Sequence, residues 1–148
     1  MAYTYKYPRP ALTVDTVVFR KKEEKTEVLL IQRKNPPFQG SWALPGGFVD
    51  MDETLESAVA RELLEETGIK NIDLKQMHAF STPGRDPRGH TISVVFWGFL
   101  KDDQQAKGGD DAQDAAWFSI DKLPKLAFDH QDIVEMAIKK TKAPNNKK

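Results

Sequence analysis

The 148-residue chain contains no cysteine. That absence removes disulfides, thiolate metal sites and cysteine nucleophiles from consideration at once, and it fits a reducing compartment. Net charge is missing too: 22 Lys and Arg balance 22 Asp and Glu. No global basic field draws such a chain to nucleic acid, and no acidic excess marks a solvating tail. No stretch approaches the roughly 18 consecutive apolar residues of a membrane span. The opening residues MAYTYKYPRP lack the apolar centre of a secretory signal. What is present, 39% hydrophobic and 30% charged residues, is the composition of a globular chain. The expectation is one cytoplasmic domain with no membrane and no nucleic-acid partner, large enough to build a core without staples.

Three segments follow from the pattern. Residues 1–10, with two prolines, read as an extended N-terminal segment, 11–140 as a single domain, and 141–148 as a flexible basic tail. Within the domain, Leu12 to Phe19 and Glu27 to Gln32 are rich in branched apolar residues and read as a strand hairpin across a charged turn. Trp42 to Phe48 is a short extended stretch whose glycines let backbone approach a ligand. Residues 54–67 are the clearest helix, with Thr54 as N-cap, Leu55, Val59 and Leu63 on the apolar face, and Gly68 at the C′ position. A strand from Ile72 to Phe80 and a Pro/Gly loop from Ser81 to His90 come next. Then follow a doubly buried strand from Thr91 to Leu100, an acidic loop from Asp102 to Asp114, a short strand from Ala115 to Ser119 and a helix over 129–140. Strands and helices interleaved in this way suggest a mixed sheet with helices packed on it.

The helix 54–67 carries an arrangement that costs stability. Glu62 and Glu66 are four residues apart, Glu65 is three from Glu62, and all three share one side of the helix. Like charges at that spacing cost roughly 0.2–0.5 kcal/mol per pair, and anions in the last turn oppose the helix dipole by about 0.3–1 kcal/mol each. A hard divalent cation relieves the repulsion, since carboxylate oxygens suit Mg²⁺ or Mn²⁺. A solvated face paired locally with Arg61 and Lys70 is the plain alternative.

Residues 47–69, GFVDMDETLESAVARELLEETGI, resemble the Nudix box: Gly, five residues, Glu, seven residues, then Arg-Glu-aliphatic-any-Glu-Glu-any-Gly-aliphatic. Every defined position matches, from Gly47 and Glu53 through Arg61, Glu62, Leu63, Glu65 and Glu66 to Gly68 and Ile69. The resemblance implies an α/β/α sandwich around a mixed β-sheet. It implies that Glu62 and Glu66 are the principal metal ligands, that Glu65 shares a metal or its water, and that the Gly47 region offers a carbonyl. Glu53 and Arg61 would orient the helix. The implied reaction is attack of a metal-activated water on a diphosphate joined to a nucleoside, with Mg²⁺, or Mn²⁺, as cofactor.

Outside the box, Pro83 lies fifteen residues after Gly68, a placement similar to that in Nudix ADP-ribose pyrophosphatases. PGRDPRGH (83–90) and LAFDH (126–130) also resemble that group, and resemble the Nudix domains of transcriptional regulators of NAD and sugar metabolism. Arg85 and Arg88 are candidates for phosphate or ribose-phosphate recognition, with a loop ion pair to Asp86 as the competing role. Arg33 is a phosphate contact or a structural pair. Phe38, Trp42 and Phe128 are candidates to stack on adenine, although any single one of them is more often a core residue. His130 bonds ribose or, the favoured reading, caps the last helix.

Family members often place a further carboxylate in the loop that here holds Asp110, Asp111 and Asp114. Asp111 heads that set as metal ligand or general base, with Glu65 as competitor. The leading expectation is hydrolysis of ADP-ribose to AMP and ribose 5-phosphate. A sanitising hydrolase of oxidised nucleoside triphosphates is the alternative within the same chemistry. A ligand-sensing domain that binds ADP-ribose to regulate a partner is the alternative of another class, disfavoured by the intact box and by the eight residues after Lys140, too few for a DNA-binding domain. Related enzymes are commonly homodimers.

Overall fold

The computed structural model describes residues 2–109 and 112–141. Among them, strands β1 (Ala11–Lys22), β2 (Lys25–Arg33), β3 (Trp42–Ala43), β4 (Gly46–Phe48), β5 (Lys75–Phe80), β6 (Thr91–Phe99) and β7 (Ala112–Ser119) join one mixed sheet, with helices α1 (Leu55–Thr67) and α2 (His130–Thr141). The central path runs β3-β2-β1-β6-β5, with β4 paired to β1 and β7 to β2. β1 organises the molecule. It pairs in parallel with β6 from Ala11↔Thr91 to Phe19↔Phe99, antiparallel with β2 at one end, and antiparallel with β4 at the other, where Val14 faces Gly47 and Asp15 faces Gly46.

The two-residue period of β1 divides the core. Val14 and Val18 point to the α1 side, where Ala58, Val59, Leu63 and Ile69 pack. Val17 and Phe19 point to the α2 side with Val28, Leu30, Ile133 and Val134. The result is the sandwich expected from the sequence, with one helix on each face. By the same period Asp15 shares the face of Val17 and Phe19, so a carboxylate is sent toward α2, where it is buried.

The expected elements are present, with boundaries moved by pairing. The hairpin turn is tighter than expected: β1 extends to Lys22, and Glu23 and Glu24 make the turn in left-handed conformations. β5 begins at Lys75, not Ile72. Asn71 has φ +58° and the ladder with β6 starts only at Lys75↔Trp97, although Ile72 and Leu74 still pack on the α1-side core. β7 begins at Ala112, three residues into what composition reads as acidic loop, because β2 supplies a hydrogen-bonding edge as far as Arg33. Helix α1 starts and stops as its sequence directs. The Thr54 hydroxyl accepts from Ser57 N at 3.1 Å, and Gly68 takes φ +78° while its N–H bonds Leu64 O. Neither helix is long and apolar enough to cross a membrane. Residues 142–148, the bulk of the expected tail, lie outside the described residues.

Candidate active site

A cavity of about 430 Å³ opens where β4 and the end of α1 meet the start of α2. Glu62 and Glu66 line one wall beside Gly46 and Gly47. The glycines are required by close approach. A Cβ on Gly47 would lie 2.6 to 2.7 Å from the Glu62 carboxylate, and a Cβ on Gly46 would overlap the Asp15 carboxylate and the Val14 carbonyl. Strand alternation thus opens one glycine toward the α1 side and the next toward the α2 side. Gly46 N donates to Glu66 Oε1 at 2.8 Å, which holds the nearly buried Glu66 side chain against the strand.

Arg61 offsets the repulsion within the glutamate helix. Its guanidinium makes a bidentate pair with Glu53 (2.7 and 2.9 Å) and donates to Glu62 at 2.8 Å and Glu65 at 3.0 Å. It also reaches the Phe48 carbonyl at 3.2 Å, tying helix to strand. Hydrogen bonding from Arg61, then from Asp50 N, pulls the Glu53 carboxyl down to about 2, and the pairing with Glu53 raises Arg61 above its ordinary value. Glu53 and Arg61 flank the cavity without lining it, and Glu65, half-exposed and paired with Arg61, does not line it either.

Among the described residues no three acidic or histidine side chains converge closely enough to hold an ion by themselves. Two carboxylates and a glycine backbone on one wall are nevertheless a fitting donor set for a hard divalent cation, which commonly takes one or two carboxylates and completes its shell with water and phosphate oxygens.

The rest of the lining is cationic and aromatic. Arg88 stacks over Phe48 at 4.9 Å and over Phe128 at 5.6 Å, and Arg33 lies over Phe128 at 5.0 Å. Phe38 does not line the cavity but packs on Phe128, with ring centres 4.7 Å apart. Trp42 is placed elsewhere: it is half-buried, meets Phe118 edge-on at 4.8 Å and belongs to the α2-side core. Phe48 is the aromatic that sequence reasoning missed. Its only signal was its place just after the first box glycine.

The loop arginines divide. Arg88 pairs with Asp86 at 2.9 Å, the loop pairing weighed from the sequence, yet still lines the cavity. Burial works against the Asp86 charge, but hydrogen bonds from the Arg88 side chain and backbone outweigh it and hold its carboxyl below the usual value. Arg85 does not pair with Asp86. It makes a bidentate, nearly buried pair with Asp129 (2.7 and 2.9 Å) and its third nitrogen reaches the Thr91 carbonyl at 3.4 Å. Arg33 donates to the Pro37 carbonyl at 2.7 Å and also lines the cavity. Asp114 sits on β7 and accepts from Ala115 N, away from the cavity. Asp110 and Asp111 lie outside the described residues.

The family model for the NUDIX domain matches residues 9–137. The chain belongs to the Nudix family. This Nudix domain is 47% identical over 131 residues to the ADP-ribose pyrophosphatase of Methanocaldococcus jannaschii, covering 87% of the chain and 73% of that protein. It is similar to the crystallised NUDIX domain of Shewanella oneidensis NrtR complexed with ADP ribose, with 34% identity and a TM-score of 0.85, covering 94% of each chain. It is similar also to a bifunctional NMN adenylyltransferase/ADP ribose pyrophosphatase from Francisella tularensis complexed with AMP and a Mn ion. There the identity is 30% and the TM-score 0.79, covering 92% of this chain and 43% of that one.

His130 and Asp15 complete the floor of the Nudix cavity. His130 Nδ1 accepts from Leu44 N at 3.0 Å, so the ring braces the link between β3 and β4 rather than capping α2. The Asp15 carboxylate accepts from Ser93 Oγ. Burial pushes Asp15 up to about 7, opposed in part by Ser93, and pushes His130 down to about 3. Asp15 carried no signal as a site residue in the sequence, where it stands alone among β-branched residues.

Proposed function

We propose that this Nudix domain is an ADP-ribose pyrophosphatase that releases AMP and ribose 5-phosphate. The observation that carries the reading is the meeting, in one cavity, of Glu62, Glu66 and the Gly46–Gly47 backbone with a wall of Arg33, Arg88, Phe48 and Phe128. A nucleoside diphosphate sugar presents an aromatic base, hydroxyls and two adjacent phosphates, and each finds a matching surface. The archaeal relative named for this activity supports the choice of substrate.

In this reading Glu62 and Glu66 hold Mg²⁺, or Mn²⁺, with a carbonyl from the Gly47 region, and Glu65 shares its water. The cation supplies charge neutralisation at phosphate and a more acidic bound water. Arg61 and Glu53 keep the carboxylates aimed. Arg88 and Arg33 take phosphate oxygens, and Phe128, backed by Phe38, takes the base. Arg85, whose donors are committed to Asp129 and Thr91, orients the loop and the start of α2 rather than the ligand. Glu65 and Asp111 are the candidate bases. The working form is a cytoplasmic homodimer.

The likeness to a repressor domain crystallised with ADP ribose favours a second reading, in which the cavity senses ADP-ribose without turning it over. One panel separates the readings. ADP-ribose, 8-oxo-dGTP, ATP and NAD are incubated with Mg²⁺ or Mn²⁺ and products are resolved by chromatography. The enzyme reading requires AMP and ribose 5-phosphate from ADP-ribose, with the highest kcat/KM of the panel. Tight binding of ADP-ribose without products supports the sensor, and preference for 8-oxo-dGTP supports the sanitising hydrolase.

A further inference from the structure

The polar floor of the cavity has a donor and an acceptor to which the metal site and the phosphate wall give no role. Leu44 N–H donates to His130 Nδ1, so the neutral ring carries its hydrogen on Nε2. Burial keeps the ring neutral. Nε2 stands 3.8 Å from Asp15 Oδ1, too far for a direct hydrogen bond. Ser93 Oγ bonds the other oxygen, Oδ2, and so fixes which Asp15 oxygen faces His130. Both side chains line the cavity and are largely buried, with 5% of the His130 side chain and 11% of the Asp15 side chain exposed. Gly46 contributes by absence, since a Cβ there would occupy the place of Oδ1. The positions are rigid: Asp15 and Ser93 lie on the paired strands β1 and β6, and His130 opens α2 next to Asp129, which Arg85 clamps.

An oxygen placed at the ordinary distance of about 2.8 Å from both Nε2 and Oδ1 would make two hydrogen bonds roughly 85° apart. The group that fits accepts one hydrogen bond and donates one. Above the titration of Asp15, phosphate oxygens are excluded by the carboxylate, and an ammonium is excluded by the N–H of the ring. A hydroxyl satisfies both partners. We propose that His130 Nε2 and Asp15 Oδ1 form a donor–acceptor pair that binds one sugar hydroxyl of the substrate and makes the site selective for the hydroxylated sugar. The inference rests on the reading of the cavity as a nucleoside diphosphate sugar site. In the free protein a water suits the same position, and the hydroxyl replaces it without leaving either group unpaired.

The test measures kcat/KM of the parent for ADP-ribose and for analogues lacking one hydroxyl of either ribose, above the titration of Asp15. ATP is compared with dATP in the same series. The parent should lose at least about tenfold on one analogue, the value of a hydrogen bond to a buried charged or polar partner. Asp15→Asn, which keeps shape but turns the acceptor into an amide, and His130→Gln should lower kcat/KM for ADP-ribose while acting on that analogue no worse than the parent does, so the discrimination collapses toward unity. Ser93→Ala removes the group that orients Asp15 without lining the cavity and should reduce discrimination too, which keeps the test valid if either of the other variants fails to fold. Circular dichroism checks each fold.

Turnover of ADP-ribose by the parent with less than twofold discrimination among all the analogues overturns the pair, as does discrimination retained by the folded variants. Preference of the parent for triphosphates overturns the substrate reading alone. The pair is then judged on ATP against dATP, where a ratio below twofold, or one unchanged by the variants, overturns it as well.

Discussion

Replacing either Asp15 or His130 should unmask a pH dependence of stability that the two groups hide in the parent. Asp15 is raised on folding from 3.8 to about 7, chiefly by burial, so the folded state keeps a proton there that the unfolded state has lost. His130 is lowered from 6.5 to about 3, again chiefly by burial, so the unfolded state keeps a proton that the folded state has lost. Between 3.8 and 6.5 the two differences are one proton each, of opposite sign, and cancel. Arg85, Asp129 and Arg33 modulate both groups, Ser93 acts on Asp15 and Asp86 on His130, and all of them remain in both variants.

In Asp15→Asn only the histidine remains, the unfolded state binds the extra proton, and stability relative to the parent should rise with pH across the window. In His130→Gln only the aspartate remains, the folded state binds the extra proton, and relative stability should fall with pH. Each slope approaches about 1.4 kcal/mol per pH unit, or roughly 3 kcal/mol across the window. Above both titrations Asp15→Asn should also be more stable than the parent, because the parent then buries a charge. Urea unfolding followed by circular dichroism, at several pH values and with chelator throughout, reads these differences. Equal slopes in the parent and both variants, or slopes of the same sign in the two variants, would refute the reasoning.

Three further outcomes follow from the site. Glu66→Gln can still accept from Gly46 N and should unfold at an unchanged temperature, yet lose turnover by at least about a hundredfold because an anionic ligand is gone; near-normal turnover would show that Glu66 does not hold the metal. In Gly47→Ala the nearest atoms to the new Cβ belong to the Glu62 carboxylate, the far end of a flexible side chain, so the fold should survive while the carboxylate moves. The divalent-ion concentration for half-maximal activity should then rise about tenfold, and an unchanged requirement would count against close approach at this glycine. Arg85→Ala leaves Asp129 as an uncompensated, largely buried charge and should destabilise the protein by about 3 kcal/mol. Asp129→Asn in the same chain should recover part of that loss in a denaturant titration, and no recovery would mean that the ion pair is not what Arg85 supplies.

The parts legible in the sequence were those written locally. Thr54 and Gly68 mark the ends of α1 by capping chemistry that needs only neighbouring residues, and the spacing of Glu62, Glu65 and Glu66 places them on one side of a helix whatever the rest of the chain does. Placements that depend on distant partners were not legible. Arg85 has Asp86 beside it in sequence but Asp129, 44 residues away, in space. Trp42 and Phe128 look alike as aromatic candidates, but Trp42 on β3 packs against Phe118 in the core, while Phe128, in the segment before α2, lines the cavity. Asp15 sits in a run of β-branched residues, where it reads as an interruption. Its meaning comes from the register that sets it opposite Gly46 and from the helix that brings His130 within reach.

The most direct test of the central claim is a product analysis of ADP-ribose with the purified full chain, with and without Mg²⁺, alongside 8-oxo-dGTP at equal concentration. AMP and ribose 5-phosphate are expected in equal amounts from ADP-ribose, formed only with the cation, at a kcat/KM above that for 8-oxo-dGTP. Faster hydrolysis of 8-oxo-dGTP, or turnover of ADP-ribose that persists in excess chelator, would contradict it.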